Sequence, residues 1–345
     1  MSQTVKPRPA ADFSLRRDFL EDLHRGFALQ TPVRWSLAQR GHETWILRLA
    51  GGERVVLRRY PPYFQEPWIR REHAVLNYLK GRSFPVFAAV PTRGGASFIR
   101  SGERYYALFD YCDGELIRRP WKRLLFMGLN SAAGRALAQY HRLAAEFSLP
   151  DEAGTKAPRY PWSSKALTGY CREVSQRESL TRHDRYYLKH AREAEEELDR
   201  LTARGKSWPA SLSRTILHGD FGPHNVFFKD GRVAGVIDFV GLHEDIRAEE
   251  VASALLLFSK WLGPHLHLGI VDALLKAYQK EYPLEREALD LLPDLMRCWI
   301  LDSLRWSLMQ HYAHGRPGFA HLFADRLELA RWIQRHQDQI KRIAG

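Results

Sequence analysis

The sequence is poor in cysteine. Its three cysteines, Cys112, Cys171 and Cys298, are far apart and odd in number, and no two of them form a C-x-x-C pair. This spacing predicts neither a disulfide framework nor a zinc site, and it favours a reducing, cytoplasmic environment.

Long apolar runs are also missing. The stretch that comes closest to a membrane span, residues 251–262, is interrupted by Ser253, Ser259 and Lys260, whereas a span needs roughly 18 uninterrupted apolar residues. The amino-terminal segment MSQTVKPRPAADFSLRRDF has no apolar core of the length that a signal peptide requires. We therefore expect a soluble protein that contacts no membrane and is not exported.

Positive charge is in excess but is not clustered. The 345 residues include 52 Lys and Arg against 40 Asp and Glu, which gives a formal net charge of +12. The basic residues are dispersed and acids lie among them, as in residues 192–197, so we expect no nucleic-acid partner. The excess suits the phosphates of a nucleotide or an anionic substrate, and it argues weakly against a polycationic one.

The pattern of residues 211–245 predicts that three polar side chains meet. The apolar run 215–217 leads into a tight loop that contains Asp220 and ends at Asn225. An Asp-Gly turn between two further apolar runs then predicts an antiparallel hairpin, whose return strand ends at Asp238.

A carboxylate, an amide and a second carboxylate suit one kind of chemistry. One carboxylate can act as a base toward a hydroxyl group, while the amide oxygen and the other carboxylate hold a divalent cation. Hard oxygen ligands of this kind suit Mg²⁺ bound to the phosphates of a substrate. The pattern therefore predicts phosphoryl transfer.

The elements H-G-D-x-x-x-x-N and I-D-F in this stretch resemble the catalytic segment of the aminoglycoside phosphotransferase and choline kinase superfamily. The resemblance implies an enzyme that moves the γ-phosphate of ATP to a hydroxyl group of a small molecule, with Mg²⁺ as cofactor. It implies Asp220 as the catalytic base, Asn225 and Asp238 as Mg²⁺ ligands, and His218 as a residue that shapes the loop.

The same resemblance implies an α+β fold with two lobes, like that of a protein kinase. Residues 1–112 would form the N-lobe, with a leading helix, a small antiparallel sheet and a nucleotide phosphate loop. Residues 113–345 would form a larger, mostly helical C-lobe with the catalytic loop and the metal site. The nucleotide would lie in the cleft between the lobes.

Hydrophobic periodicity assigns the individual elements. A leading helix is expected at 14–29 and a second helix at 66–80. The expected strands before residue 112 are 33–38, 44–49, 54–59, 84–91, 97–100 and 104–111. The expected helices after it are 121–147, two within 163–204, 264–282, 284–313 and 317–343.

Nucleotide contacts are expected in the N-lobe. Strand alternation places Arg58 where the kinase V-A-I-K strand carries its cation, and Glu72 lies where the family's helix presents an acid to that cation. Gly41 lies in the loop that takes the place of the phosphate loop, although one glycine makes a weak motif. Asp110 and Cys112 fall in a segment similar to the family's hinge, whose backbone would bind the adenine edge.

One group of candidate acceptor contacts follows the hairpin. Asp245, Arg247 and Glu250 lie where the family's helix usually begins with Asp-Leu-Ala. Acids at the start of a helix are also expected from the helix dipole alone, so a purely structural role is equally open.

A second group lies near the carboxyl terminus. Asp302, Arg305 and Trp306 share a predicted helix, and the triplet at 304–306 faintly resembles the homoserine-kinase-type branch. Aromatic residues at helical spacing also suit a hydrophobic core, so both readings stay open.

Several alternatives stay open. The acceptor, the choice between ATP and GTP, and the oligomeric state cannot be read from the pattern. A homoserine-kinase-type or choline-kinase-type enzyme is the specific alternative. A protein kinase ranks lower, because the chain lacks an A-P-E segment and a glycine triplet. The alternative of another class is a kinase-like nucleotide-binding protein without turnover.

Overall fold

The protein is described by a computed structural model, which covers residues 17–27, 29, 32–39, 43–148, 164–260 and 263–345. The chain divides into two compact units. The first contains the described residues up to Lys80 together with Phe87–Cys112, and the second contains Gly81–Val86 and Asp113–Gly345.

The first unit is built on an antiparallel sheet. Its strands are β1 (Pro32–Gln39), β2 (Thr44–Leu49), β3 (Arg54–Arg59), β4 (Ile99–Ser101) and β5 (Arg104–Asp110), in the order β1-β2-β3-β5-β4. Alternate residues of β2, beginning with Trp45, are buried, as expected when one face of a sheet covers a core. Helix α1 (Arg17–Gly26) contributes Leu23 to that core, which also holds Leu47, Leu57 and Leu108.

Helix α2 (Glu66–Gly81) confirms the predicted second helix, but the strand predicted at 84–91 is wrong. Only two isolated bridges occur there, from Val86 and from Ala89. Pro85 and Pro91 lie within this segment, and proline cannot donate to a strand ladder. The segment therefore forms isolated bridges and no continuous strand.

The second unit is mostly helical. Two small sheets are formed by β6 (Glu115–Leu116), β8 (Val226–Lys229) and β9 (Arg232–Val236), and by β7 (Arg214–Leu217) with β10 (His243–Ile246). The helices are α3 (Pro120–Leu125), α4 (Met127–Ala144), α5 (Cys171–Ser175), α6 (Arg182–Gly205), α7 (Arg247–Ser259), α8 (Leu268–Glu281), α9 (Arg286–Leu308), α10 (Leu322–Arg335) and α11 (Gln337–Ala344). The predicted α+β organisation is confirmed.

The single helix predicted at 121–147 is instead two. The chain breaks at Phe126, whose backbone (φ −115°, ψ 63°) is not helical. The Asn130 side chain donates to the Arg123 carbonyl oxygen at 2.8 Å and so satisfies a group that a continuous helix would bond internally. The helix predicted at 317–343 is likewise divided, at His336.

Within the part of the chain that the structure describes, every helix is too short or too polar to cross a membrane.

Candidate active site

The candidate site is built on β7, the loop after it and the β8–β9 hairpin. The predicted antiparallel hairpin is present, with Val226 opposite Val236, Lys229 opposite Arg232 and a shift of register between Phe227 and Phe228. Its Asp-Gly turn places Asp230 and Gly231 at positive φ, which these residue types tolerate. The loop thus starts after β7 and ends where β8 begins.

Asp220 lies in this loop with its side chain 43% exposed. Its Oδ2 atom accepts hydrogen bonds from His224 Nε2 at 2.9 Å and from Asn225 Nδ2 at 3.1 Å. Asn225 is buried, and Nδ2 also donates to the Asp220 carbonyl oxygen at 3.0 Å. The carboxylate is therefore oriented from one side.

His218 joins this loop to the turn that carries Asp238. Its Nδ1 accepts from the Asp220 backbone N–H at 3.2 Å, which leaves Nε2 as the donor to the Ile237 carbonyl oxygen at 2.9 Å. The imidazole is fully buried and lies 4.4 Å from the Phe239 ring, centroid to centroid. These contacts fit the predicted role of His218 in shaping the loop.

Gly219 lets the two segments approach closely. Its φ is +85°, and an added Cβ would lie 2.4 Å from the Gly241 carbonyl oxygen. Any other residue would therefore push the Asp220 loop away from the turn that follows Asp238.

Asp220 and Asp238 both affect the pKa of one neighbouring side chain, that of His224. Burial lowers the pKa of His224, but the hydrogen bond and the charge of Asp220, together with the charge of Asp238, raise that pKa above its ordinary value. Asp238 itself takes a left-handed conformation (φ 70°, ψ 56°) at the end of the hairpin. The structure thus brings together the three polar residues that the sequence pattern predicts to meet.

The donor set fits a hard divalent cation. The Asn225 amide nitrogen is held by Asp220, so the amide oxygen points to the other side of the planar group. That oxygen and the Asp238 carboxylate are the ligand types that Mg²⁺ and Ca²⁺ prefer.

Glu250 does not have the acceptor contact considered for it, because it is 1% exposed. Its Oε2 accepts from the His218 N–H at 2.9 Å, and its Oε1 accepts from the Gly219 N–H at 2.6 Å. Oε2 also lies 2.9 Å from Nε2 of the buried His141. Glu250 therefore holds the backbone at the start of the Asp220 loop.

The protonation states of the buried residues Glu250 and His141 follow from their contacts. Burial raises the pKa of Glu250, but the hydrogen bonds from His141 and the loop backbone outweigh it and leave the pKa below its ordinary value. Burial lowers the pKa of His141 more than Glu250 raises it. An anionic Glu250 thus accepts from a neutral His141, whose Nδ1 accepts from the Tyr278 hydroxyl at 2.8 Å.

In the first unit, Arg58 pairs with Glu72. Arg58 Nη1 donates to Glu72 Oε1 at 2.8 Å, and the two residues are 8% and 3% exposed. The Tyr60 hydroxyl donates to Glu72 Oε2 at 3.1 Å and accepts from His73 Nε2 at 2.9 Å. The remaining ring nitrogen of His73 accepts from Ser97 Oγ at 2.7 Å.

His73 should make this unit sensitive to acid. Burial, and then the charge of Arg58, lower the pKa of His73 to about 3. A histidine with a lowered folded-state pKa is stabilising while it stays neutral, so stability should fall as the pH drops from about 6.5 toward 3. The loss should reach about 2–3 kcal/mol at pH 4.5.

Denaturant unfolding at pH 7 and pH 4.5 checks this expectation. His73→Gln should lower stability at pH 7 and reduce the difference between the two pH values. Replacement of the exposed His314 by Gln serves as the matched control and should leave the difference unchanged. An equal pH dependence in wild type and His73→Gln would contradict the assignment.

The other predicted nucleotide contacts are Gly41, Asp110 and Cys112. Gly41 lies outside the described residues. Asp110 is exposed at the end of β5 and pairs with Lys80 Nζ at 2.9 Å, and Cys112 is the last residue of the first unit. A contact of these residues with a nucleotide stays a prediction.

Arg247 is also structural rather than available to an acceptor. It is 3% exposed and donates to the carbonyl oxygens of Tyr282 and Pro283, the latter at 2.7 Å. Asp245 lies on β10 opposite Thr215, toward the end of β7 that is remote from the Asp220 loop. The structure therefore does not gather Asp245, Arg247 and Glu250 around one acceptor.

Asp302 and Arg305 form an ion pair on α9. Trp306 is 47% exposed, and its ring packs edge-on against Phe319 with Arg326 above it. The predicted helical stripe is present, and its contact with an acceptor stays a prediction.

Two supporting groups were missed in the sequence. His224 stands immediately before Asn225, and a histidine at a variable position of H-G-D-x-x-x-x-N was the available signal. Tyr60 and His73 were not connected with Glu72, because they come from the end of a strand and from a helix and meet only through folding.

Comparison with known proteins supports these findings. A model of the phosphotransferase enzyme family matches residues 37–287. A homoserine kinase from Parvibaculum lavamentivorans is 30% identical over 223 residues, covering 65% of this chain and 63% of that protein. A homoserine kinase from a Chelativorans species is 32% identical over 210 residues, covering 60% and 57%. The chain thus spans less than two thirds of the length of these relatives.

Among solved structures, amicoumacin kinase hAmiN in complex with AMP-PNP, Ca²⁺ and Ami is similar, with a TM-score of 0.67. The sequence identity is 14%, and the match covers 94% of this chain and 93% of that one. This likeness confirms the predicted kinase-like fold class.

Proposed function

Since the chain belongs to the phosphotransferase enzyme family, we propose that it transfers the γ-phosphate of ATP to a hydroxyl group of a small molecule. The observation that carries the proposal is the joining of the Asp220 loop to the Asp238 turn through His218 and Gly219. Fold alone would not suffice, because one fold can host many functions.

Asp220 is the base in this proposal. Its Oδ2 is occupied by His224 and Asn225, so Oδ1 is assigned to the hydroxyl group of the acceptor. There it orients the hydroxyl and takes its proton as the oxygen attacks the γ-phosphorus. Most of the acceleration would come from positioning, and no covalent enzyme intermediate is needed.

Asn225 and Asp238 would hold a divalent cation. The similar kinase structure contains AMP-PNP and Ca²⁺, and we propose Mg²⁺ for this chain because the ligands are hard oxygens. When bound, such a cation neutralises charge on the nucleotide phosphates. We further propose that Arg58, fixed by Glu72, binds those phosphates.

Homoserine is the first acceptor to test. The relatives that are 30% and 32% identical are homoserine kinases, although the chain spans only part of their length. Choline-type amino alcohols, sugars and aminoglycosides form the remaining classes. A kinase-like binding protein without turnover is the alternative of another class.

ADP release in the presence of ATP and Mg²⁺, measured across a panel of hydroxyl compounds, tests the proposed function. We expect one class of acceptor to raise ADP release at least tenfold above the acceptor-free rate, and homoserine is the compound tested first. Nucleotide binding without stimulation by any compound would favour the binding-protein alternative. The same panel with GTP in place of ATP, with GDP release measured, resolves the nucleotide choice.

The proposal includes a cytoplasmic location, since Cys112, Cys171 and Cys298 are not joined by disulfides. It includes no nucleic-acid or membrane partner.

A further inference from the structure

A second cluster of ligand side chains lies on β10 and at the start of α7, and it contains none of Asp220, Asn225 and Asp238. His243, Asp245 and Glu249 each offer one ligand atom, and these atoms all lie within 4.8 Å of one another. His243 and Asp245 are alternate residues of β10 and share one face of the strand. Glu249 belongs to the first turn of α7 and is 7% exposed.

The imidazole of His243 is prepared to bind a cation. Its Nδ1 lies 2.8 Å from the Gly241 carbonyl oxygen, which can only accept, so Nδ1 carries the proton. Nε2 is buried with no hydrogen-bond partner among the described residues. A backbone carbonyl bonded to the distal ring nitrogen is the usual support of a metal-binding histidine.

The two carboxylates complete an electron-rich group. Asp245 Oδ1 accepts from the Ile246 N–H at 2.7 Å and lies 3.4 Å from Arg214 Nη1. These two contacts hold the Asp245 side chain in place. An imidazole nitrogen beside two carboxylates is a ligand set that suits Zn²⁺ or a related first-row transition metal.

Two residues of the cluster, Asp245 and Glu249, line a cavity of about 520 Å³ together with Trp208 and Cys298. Asp220, Asn225 and Asp238 are not among the lining residues. A metal held by three side chains would therefore have room for water or another ligand at a further coordination position.

We propose that His243, Asp245 and Glu249 form a binding site for a transition-metal ion of the Zn²⁺ type, separate from the cation site at Asn225 and Asp238. Ligand atoms around a tetrahedral ion at about 2.1 Å are about 3.4 Å apart. Each of the three ligand atoms would therefore move toward the ion by about an ångström or less on binding. The ion ties β10 to the start of α7. The next residue, Glu250, accepts hydrogen bonds from the backbone of the Asp220 loop. The ion therefore stabilises the helix start that positions this loop.

Zinc binding by tag-free, metal-stripped protein tests the proposal. Calorimetric titration with Zn²⁺ is carried out in millimolar Mg²⁺, which competes at the oxygen-only site. We expect one Zn²⁺ per chain and a rise in Tm of roughly 5 °C at a hundredfold excess over Kd. Co²⁺ should give visible absorption typical of a site with a nitrogen ligand.

Variants separate this site from others. His243→Ala and the isosteric Glu249→Gln should each weaken Zn²⁺ binding at least tenfold, with folding checked by circular dichroism. Glu244→Gln is the matched control, since Glu244 is the exposed residue between two ligands of the same strand, and it should bind as wild type does. Asp238→Asn should also keep the zinc response.

Two results would overturn the site. One is the absence of Zn²⁺ and Co²⁺ binding by the wild-type protein. The other is binding that persists unchanged in both Glu249→Gln and His243→Ala, which would place the ion elsewhere. Because Zn²⁺ binding is measured without substrate, a failure of the proposed phosphotransferase reaction does not affect the outcome.

Discussion

Asp220→Asn should lower acceptor-dependent phosphate transfer by roughly 10²- to 10⁴-fold, the contribution typical of a positioned general base. The asparagine oxygen would turn toward His224 and Asn225, which both donate to this side chain. Its amide nitrogen would then face the acceptor and cannot take a proton. The measurement is kcat for ADP release with the acceptor found in the panel.

Nucleotide affinity should change little in the same variant, because the proposed phosphate and cation contacts come from Arg58, Asn225 and Asp238. Asp230→Asn is the matched control. Asp230 is exposed in the hairpin turn at φ 50°, which asparagine tolerates, so turnover should be unchanged. Equal turnover in Asp220→Asn and wild type would refute the assigned base.

The features that could be predicted from the sequence are those that depend on short-range patterns. The antiparallel hairpin follows from an Asp-Gly turn between apolar runs. The loop that contains Asp220 and Asn225 spans few residues, so its closure needed no knowledge of the rest of the chain. The Arg58–Glu72 pair was accessible because strand alternation and the family resemblance both point to it.

The features that could not be predicted depend on distant segments. Strand β10 reads His-Glu-Asp-Ile, with no apolar alternation, and becomes a strand only by pairing with β7. The pairing of Asn130 with the Arg123 carbonyl, which accompanies the break between α3 and α4, is likewise a tertiary detail. Glu250 is equally explained in the sequence as an acid favoured by the helix dipole, and its hydrogen bonds to the Asp220 loop form only when the chain folds.

Removal of the Glu250 carboxylate should have the largest effect on stability. Three donors, the N–H groups of His218 and Gly219 and the ring of His141, converge on it within the protein interior. In Glu250→Ala these donors lose their acceptor and a cavity remains, which should cost about 3–5 kcal/mol of unfolding free energy. Denaturant unfolding measures the change.

Conservative substitutions define which property of Glu250 matters. Glu250→Gln keeps the shape but presents an N–H group to one of the three donors, so it should also destabilise the protein and lower turnover. Glu250→Asp keeps the charge on a shorter side chain and should retain more stability than Glu250→Ala. Glu287→Ala removes an exposed acid from the first turn of α9 and should cost less than about 1 kcal/mol.

The pH dependence gives an independent check on the same carboxylate. Because the pKa of Glu250 is lowered in the folded state, its stabilising effect is present above the unfolded-state pKa and is lost as the pH falls through the folded-state value. Its neutral partner His141, also with a lowered pKa, adds a loss that begins below about pH 6.5. In Glu250→Gln, the part of the pH-dependent loss of stability that comes from the carboxylate should be absent. An acid-unfolding profile identical to that of wild type would show that Glu250 is not the anionic acceptor beneath the loop.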